Sequence, residues 1–307
     1  MTSLSSSQSA VRLAQRVSLL AGDIKLAHSV FAMPFALLAT FLAAGWAGRW
    51  PYVGELALIV LCMVLGRTVA MAVNRWADAR IDAANPRTAG RAIPRGALPA
   101  RFVLHSAVVC GLGLVAGASG FWWFYGNPWP ALLSPLVVAY LAAYSFTKRV
   151  TWACHVILGG ALALSPLAAA VAIEPGYLAQ AEVYLLAGMV LCWVAGFDVI
   201  YALQDRNVDR EQGLFSIPAR FGAPGALWAS RLLHLAAAGL LVGAALASPM
   251  LGLWFTLACV VTIALLLVEH ALVWGSRTNH LNVAFFTVNG VISLLLGAAG
   301  IVDVMVG

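Results

Sequence analysis

Asn74, Asp78 and Asp82 recur at every fourth residue of NRWADARID, directly after the apolar run LALIVLCMVLGRTVAMAV. A helix turns about 100° per residue, so positions four apart drift only about 80° over two steps and share a face across about 12 Å. That is too long for one metal ion and suits a row of oxygens that meets several ions or waters. A second stretch, DVIYALQDRNVD, occupies 198–209. On the same arithmetic Asp198, Tyr201, Asp205 and Asp209 fall within an arc of about 80°. Single acids at helix ends are commonly just solvated. Two clusters of matched spacing repel internally and require cations. Carboxylate and amide oxygens are hard ligands for Mg²⁺, which binds through a few carboxylates plus substrate phosphate. The two stretches together ask for a diphosphate held between Mg²⁺-loaded helix ends.

Cations stand near these acids. Arg67 precedes Asn74 by seven residues, on the same face and about 10 Å deeper. A charge at that depth in lipid is costly and by default functional. Lys148 and Arg149 fill the break SFTKRVT. Lys148 reads equally as a phosphate ligand or as a plain positive anchor, whereas Arg149 offers bidentate contact with phosphate oxygens. The loop NPRTAGRAIPRG, 85–96, carries Pro and Gly for irregular backbone, and Arg91 within it is placed to cover a phosphate.

The elements that must position these residues are membrane helices. Of 307 residues, 62% are hydrophobic and 10% charged, against roughly 25% charged in soluble domains; mean hydropathy is +0.91. Nine runs are long enough to span, near 24–46, 52–77, 101–119, 129–146, 151–173, 182–203, 226–247, 250–274 and 284–305. Residues 1–22 form a Ser-rich N-terminal segment, and 23–307 a single membrane domain; no cleavage signal follows the first apolar run, which reads as a retained span. Lys and Arg concentrate in alternate loops, which puts the N-terminus and both acidic stretches in the cytoplasm and the C-terminus outside. FWWFYGNPW, 121–129, then falls at the outer interface, where aromatic belts sit. The net charge of +6 is spread over these loops, so nucleic-acid binding is excluded for want of a continuous basic patch. The cysteines, Cys62, Cys110, Cys154, Cys192 and Cys259, lie in apolar runs without a CxxC pair and suggest neither zinc nor disulfides.

NRWADARID, DVIYALQDRNVD, the loop NPRTAGRAIPRG and the break SFTKR together resemble the UbiA superfamily of intramembrane prenyltransferases. The resemblance runs from KLAHSVFAMPFAL, near residue 25, to the ninth span. It implies an all-α, multi-pass bundle of nine transmembrane helices around a central cavity open to the cytoplasmic side. It implies transfer of an isoprenoid chain from polyprenyl diphosphate to an acceptor, with Mg²⁺ as cofactor. Asn74, Asp78, Asp82, Asp205 and Asp209 would hold Mg²⁺–diphosphate, and Arg67, Lys148 and Arg149 would contact phosphate oxygens. DVIYALQD looks most like the branch that prenylates an aromatic acid for ubiquinone or menaquinone. KLAHSVFAMPFAL further resembles members whose acceptor is 1,4-dihydroxy-6-naphthoate rather than 4-hydroxybenzoate. The implied setting is the bacterial inner membrane, with no protein partner.

On that reading Asp198, about two turns deeper than Asp205, meets the acceptor and orients or deprotonates its phenol, with Tyr201 beside it; the alternatives are a third metal-site acid or a structural hydrogen-bond partner. Lys25 and His28, one turn apart, bind the acceptor carboxylate or merely anchor the first span. Glu269, His270, Asn282 and Asn289 line the cavity or hydrogen-bond between helices. A transporter would also use intramembrane acids, but along a crossing path and not at one face. Haem farnesylation is the alternative within the superfamily.

Overall fold

The computed structural model describes residues 2–24, 31–273 and 283–307, with side chains for 12–24, 31–273 and 286–307. Among these the regular structure is all helical. Lipid offers the backbone no hydrogen-bond partners, so apolar runs cross as helices that satisfy their own N–H and C=O groups. In chain order they are α1 (Thr2–Asp23), α2 (Met33–Trp46), α3 (Val53–Ala77), α4 (Ala79–Ala84), α5 (Ala100–Tyr125), α6 (Trp129–Ala143), α7 (Cys154–Ile173), α8 (Ala181–Tyr201), α9 (Arg206–Glu211), α10 (Ile217–Ala247), α11 (Leu253–Leu272) and α12 (Asn289–Val306).

Helix ends follow local chemistry. Gly126 takes φ 72° and closes α5, a conformation only glycine adopts freely. Ser216 caps α10 by accepting from the Ala219 N–H. Asp303 reaches from α12 to cap α11, accepting from the N–H groups of Gly252, Trp254 and Phe255.

The bundle is organised around α8, which packs mainly on α7 and α10. Leu186, Met189, Val190, Trp193 and Phe197 on α8 meet Phe35, Leu38 and Leu42 of α2 and Leu241 of α10 in the core. Small residues allow the close approach. A Cβ on Gly159 would lie 2.3 Å from the Leu191 carbonyl oxygen, and one on Gly196 would strike the His234 ring. Backbone contact through small residues is how membrane helices gain packing without a hydrophobic difference from lipid. α3 pairs with α5, and α2 lies between α7 and α12.

Nine full-length spans are expected from the sequence; eight helices of the described residues are long and apolar enough to cross a membrane. In place of the first stands α2, whose 14 residues extend about 21 Å against about 30 Å of hydrocarbon. Lys25 and His28 lie outside the described residues. From Thr2 onward the Ser-rich segment is helical, α1, and the end of that helix docks on the bundle with Leu20 and Ile24 buried. The seventh span starts nine residues earlier than expected, because α10 continues through a kink at Gly222, φ 72° and ψ −178°. The cysteines are free. In the aromatic stretch Trp122, Trp123 and Phe124 are exposed on the surface of the bundle. A cleft of about 660 Å³ opens beside that stretch, lined by Arg49, Tyr52, Tyr125 and Glu174. It lies at the opposite end of α3 from the acids, and Arg49 is already engaged there by both oxygens of Glu55.

Because the neighbour of Gly159 is backbone, Gly159→Ala should lower the thermal stability of the detergent-solubilised protein by about 1–3 kcal/mol. Gly239→Ala, with nothing near its new Cβ, should be neutral or stabilising by about 0.5–1 kcal/mol. Thermal unfolding of the two variants against the parent protein checks this.

Candidate active site

The first acidic row keeps its line although its helix does not. α3 ends at Ala77, Asp78 sits at φ −89° and ψ 5°, and α4 begins at Ala79. The Asp78 N–H still donates to the Asn74 carbonyl and the Asp82 N–H to the Asp78 carbonyl, at 2.9 and 2.8 Å. Asp78 is 1% and Asp82 3% exposed. Buried carboxylates need counter-charges; Asp78 has two and Asp82 one. Lys148 Nζ lies 2.8 Å from Asp78 Oδ2, and Arg149 Nη2 2.8 Å from Asp78 Oδ1. Arg149 also donates to the Ala77 carbonyl. Arg91 Nη1 contacts both oxygens of Asp82 at 2.7 Å. The Asn74 amide donates to Asp78 at 3.0 Å.

The second row departs from the helical arithmetic. α8 stops at Tyr201, residues Ala202–Asp205 form a tighter 3-10 turn, and α9 starts at Arg206. Three residues per turn replace 3.6 there, so Asp198 is out of phase with Asp205 and Asp209, while Tyr201 stays beside Asp205 through Arg87. Asp205 is reached from the loop that follows the first motif: Asn85 Nδ2 donates to its Oδ1 at 2.8 Å, and the Arg87 guanidinium clasps both oxygens. Arg87 also lies over the Tyr201 ring, 5.4 Å from its centroid. Burial opposes the charge on Arg87, but the hydrogen bonds and field of Asp205 outweigh it and raise the guanidinium pKa above its ordinary value. Asp209 accepts from the Ser216 hydroxyl at 2.8 Å. Asp198 points elsewhere, to a 2.7 Å contact with His155 Nδ1.

Both acidic rows and the Lys148–Arg149 break thus meet at one end of the bundle. Arg67 stands deeper on α3, its buried Nε without a hydrogen-bond partner and its guanidinium in no ion pair among the described residues. It is the member of the cation set still free to take an anion. Sequence reasoning missed Asp23, Arg75, Asn85, Arg87 and His155. Asp23 accepts from the Ala92 N–H and faces Arg75 Nε at 3.4 Å, while Arg75 donates to Asn74 Oδ1; α1 thereby braces the loop that carries Arg91. The Asn85–Pro86 step is a turn signal, and Asn85 Oδ1 accepts from the Arg87 N–H. Nothing in the sequence distinguishes Arg87 from its loop neighbours or marks His155. Glu269, His270 and Asn289 serve helix-to-helix bonding: Glu269 accepts from Asn289, Asn289 from Trp193, and His270 pairs with His234. Asn282 lies outside the described residues.

Oxygen donors from Asn74, Asp78, Asp82, Asp205 and Asp209 are of the type Mg²⁺ takes. Among the described residues no three His, Cys, Asp or Glu side chains close round one point. These are hard oxygen donors of the kind that binds Mg²⁺ together with substrate phosphate and water. Without metal, the acids depend on their arginines and lysine. Arg91→Met should cost about 1–3 kcal/mol by leaving the buried Asp82 carboxylate without its partner. Arg91→Met with Asp82→Asn should recover most of that loss, as a double-mutant thermal-unfolding cycle in chelator would measure.

Comparison with known proteins agrees with this architecture. Over 195 residues the chain is 32% identical to a 4-hydroxybenzoate octaprenyltransferase of Pseudomonas fluorescens, the match covering 61% of this chain and 62% of that protein. The chain thus spans under two thirds of that relative's length. A UbiA homolog from Aeropyrum pernix K1, solved in its apo form, superposes with a TM-score of 0.79 at 33% identity, over 91% of this chain and 98% of the other. A UbiA homolog from Archaeoglobus fulgidus bound to GPP and Mg²⁺ shares the fold, with a TM-score of 0.71 at 18% identity over 94% of this chain and all of the other. The sequence model of the UbiA prenyltransferase family matches residues 32–291, and with both acidic stretches inside that span the chain belongs to the UbiA prenyltransferase family.

Proposed function

We propose that the protein is a Mg²⁺-dependent polyprenyltransferase that moves the chain of a polyprenyl diphosphate onto a small aromatic acid, 4-hydroxybenzoate or 1,4-dihydroxy-6-naphthoate, in quinone biosynthesis. One observation carries the reading: two carboxylate motifs more than a hundred residues apart converge on one end of an apolar bundle, with Lys148 and Arg149 between them. The relatives' names support an aromatic acid acceptor, and a homologue holding GPP and Mg²⁺ supports the donor. Family membership favours this reading over a transporter.

In this reading the bundle has nine spans, counting α2, around a cavity open at the acidic end. That end faces the cytoplasm of a bacterial cell, with the C-terminus outside the inner membrane. Asn74, Asp78, Asp82, Asp205 and Asp209 would hold Mg²⁺, which when bound neutralises charge on the diphosphate. Lys148, Arg149 and Arg91 exchange their carboxylate partners for phosphate oxygens, and Arg67 meets the diphosphate from the deeper side. The same basic groups therefore neutralise the acids in one state and the leaving group in the other. The allylic C–O bond breaks and its electron pair leaves with the diphosphate. A ring carbon beside the phenolic oxygen supplies the pair for the new C–C bond, and the ring then loses its proton. Lining the site with apolar helices excludes the water that would otherwise capture the carbocation. Asp198 and Tyr201 take the acceptor side, Asp198 through the hydroxyl. Lys25 and His28 are the candidates for the acceptor carboxylate.

Membranes carrying the protein should form prenylated product from Mg²⁺, polyprenyl diphosphate and one of the two acids, read by mass spectrometry. Product should vanish with chelator and fall at least about 100-fold in Asp78→Ala and Asp205→Ala. Product that forms unchanged in chelator, or in both variants, would reject the metal–diphosphate assignment.

A further inference from the structure

His155 stands in the first turn of α7, six residues after Arg149, and the acidic motifs do not include it. Its ring is buried, 3% exposed at the side chain, while its partner Asp198 is 22% exposed. Both ring nitrogens are engaged. The N–H of Ile217, at the start of α10, donates to Nε2 at 3.3 Å. A nitrogen that accepts carries no hydrogen, so the ring hydrogen sits on Nδ1 and is donated to Asp198 Oδ2 at 2.7 Å. The neighbours hold this junction in place: the Phe215 N–H donates to the Lys148 carbonyl at 2.7 Å, and Cys154 Sγ contacts the Phe215 carbonyl at 3.4 Å. Asp198 Oδ1 accepts no hydrogen bond among the described residues.

We infer that His155 is a positioning residue, which through a single imidazole tautomer clamps one oxygen of Asp198 and presents the other to the hydroxyl of a hydroxyaromatic acceptor. The inference rests on the prenyl-transfer reading and adds to it how the acceptor is recognised. The logic is that of an imidazole oriented by the group on its far nitrogen, here backbone at a helix start. Removing the ring frees the carboxylate to rotate but leaves its charge, so acceptor use falls far more than diphosphate binding, which His155 reaches only at second hand through Ile217 and the Ser216 that bonds Asp209. The acids also divide between two kinds of partner. Asp78, Asp82, Asp205 and Asp209 serve the end where phosphate and metal meet, whereas Asp198 is held by the His155 imidazole N–H.

The test compares the parent protein with His155→Leu and His155→Asn, whose amide nitrogen overlays Nδ1. Three quantities are read: acceptor kcat and KM, the Kd for Mg²⁺–diphosphate, and thermal stability. His155→Leu should lower kcat/KM for the acceptor by about 10- to 100-fold with diphosphate Kd changed less than about twofold, and His155→Asn should regain most of the loss. Adding His155→Leu to Asp198→Asn should cost nothing further, since the two act as one unit. Near-parental kcat/KM in His155→Leu, a diphosphate Kd that rises in step with the loss, or no recovery in His155→Asn would each overturn the inference. A parent protein that binds Mg²⁺–diphosphate yet prenylates no hydroxyaromatic acid overturns the reading beneath it, and is recognised by the parent arm alone.

Discussion

Asp78, paired at once to Lys148 and Arg149, joins the end of α3 to the break before α7. The pairing is a necessity of the medium. A carboxylate that is nearly fully buried beside further carboxylates has neither water nor distance to disperse its charge, and its partners must come from the protein. The remaining contacts of the acidic end repeat the solution: Arg91 on Asp82, Arg87 on Asp205. Each pair spans two elements that the helical packing alone does not hold together. The loop 85–99 is fixed to α4 by Arg91, to the 3-10 turn by Arg87 and to α1 by Asp23.

Such pairs contribute little net stability once desolvation is set against attraction. In the proposed reading their value is that they are exchangeable. Every cation holding a carboxylate is of a type that phosphate oxygens bind more fully, with Arg the bidentate case. A ligand carrying both anionic oxygens and divalent cations offers each side a replacement partner without leaving a buried charge uncompensated. Arg67, deeper and unpaired among the described residues, supplies attraction that no protein carboxylate cancels.

Beneath this polar end the bundle is ordinary membrane packing, and it supplies rigidity. α8 is gripped by α7 and α10 through glycine contacts at Gly159 and Gly196. Asp198 therefore rides on a well-anchored helix, whereas Asp205 and Asp209 follow a 3-10 turn and a six-residue helix that depend on side-chain bonds for their place. The hydrogen-bonded set Trp193, Asn289 and Glu269 ties α8 to α11 and α12 in the core, where unsatisfied polar groups are most costly.

Lipid and helical periodicity act locally, and what they impose is legible in the order of residues alone. Long apolar runs become helices because no other backbone arrangement satisfies itself in hydrocarbon. The four-residue spacing of Asn74, Asp78 and Asp82 survives because consecutive i to i+4 hydrogen bonds carry it across the junction at Asp78. The break at Lys148–Arg149 and the pair of acidic motifs are legible for the same reason, being local in residue type and spacing. The rest depends on packing between distant parts of the chain. The long-range bonds of Asn85 and Arg87 to Asp205, at the tighter turn Ala202–Asp205, join groups more than a hundred residues apart. The partnership of Asp198 with His155 is of the same kind: 43 residues separate them, no period relates them, and only the packing of α7 on α8 and the start of α10 brings the imidazole to the carboxylate.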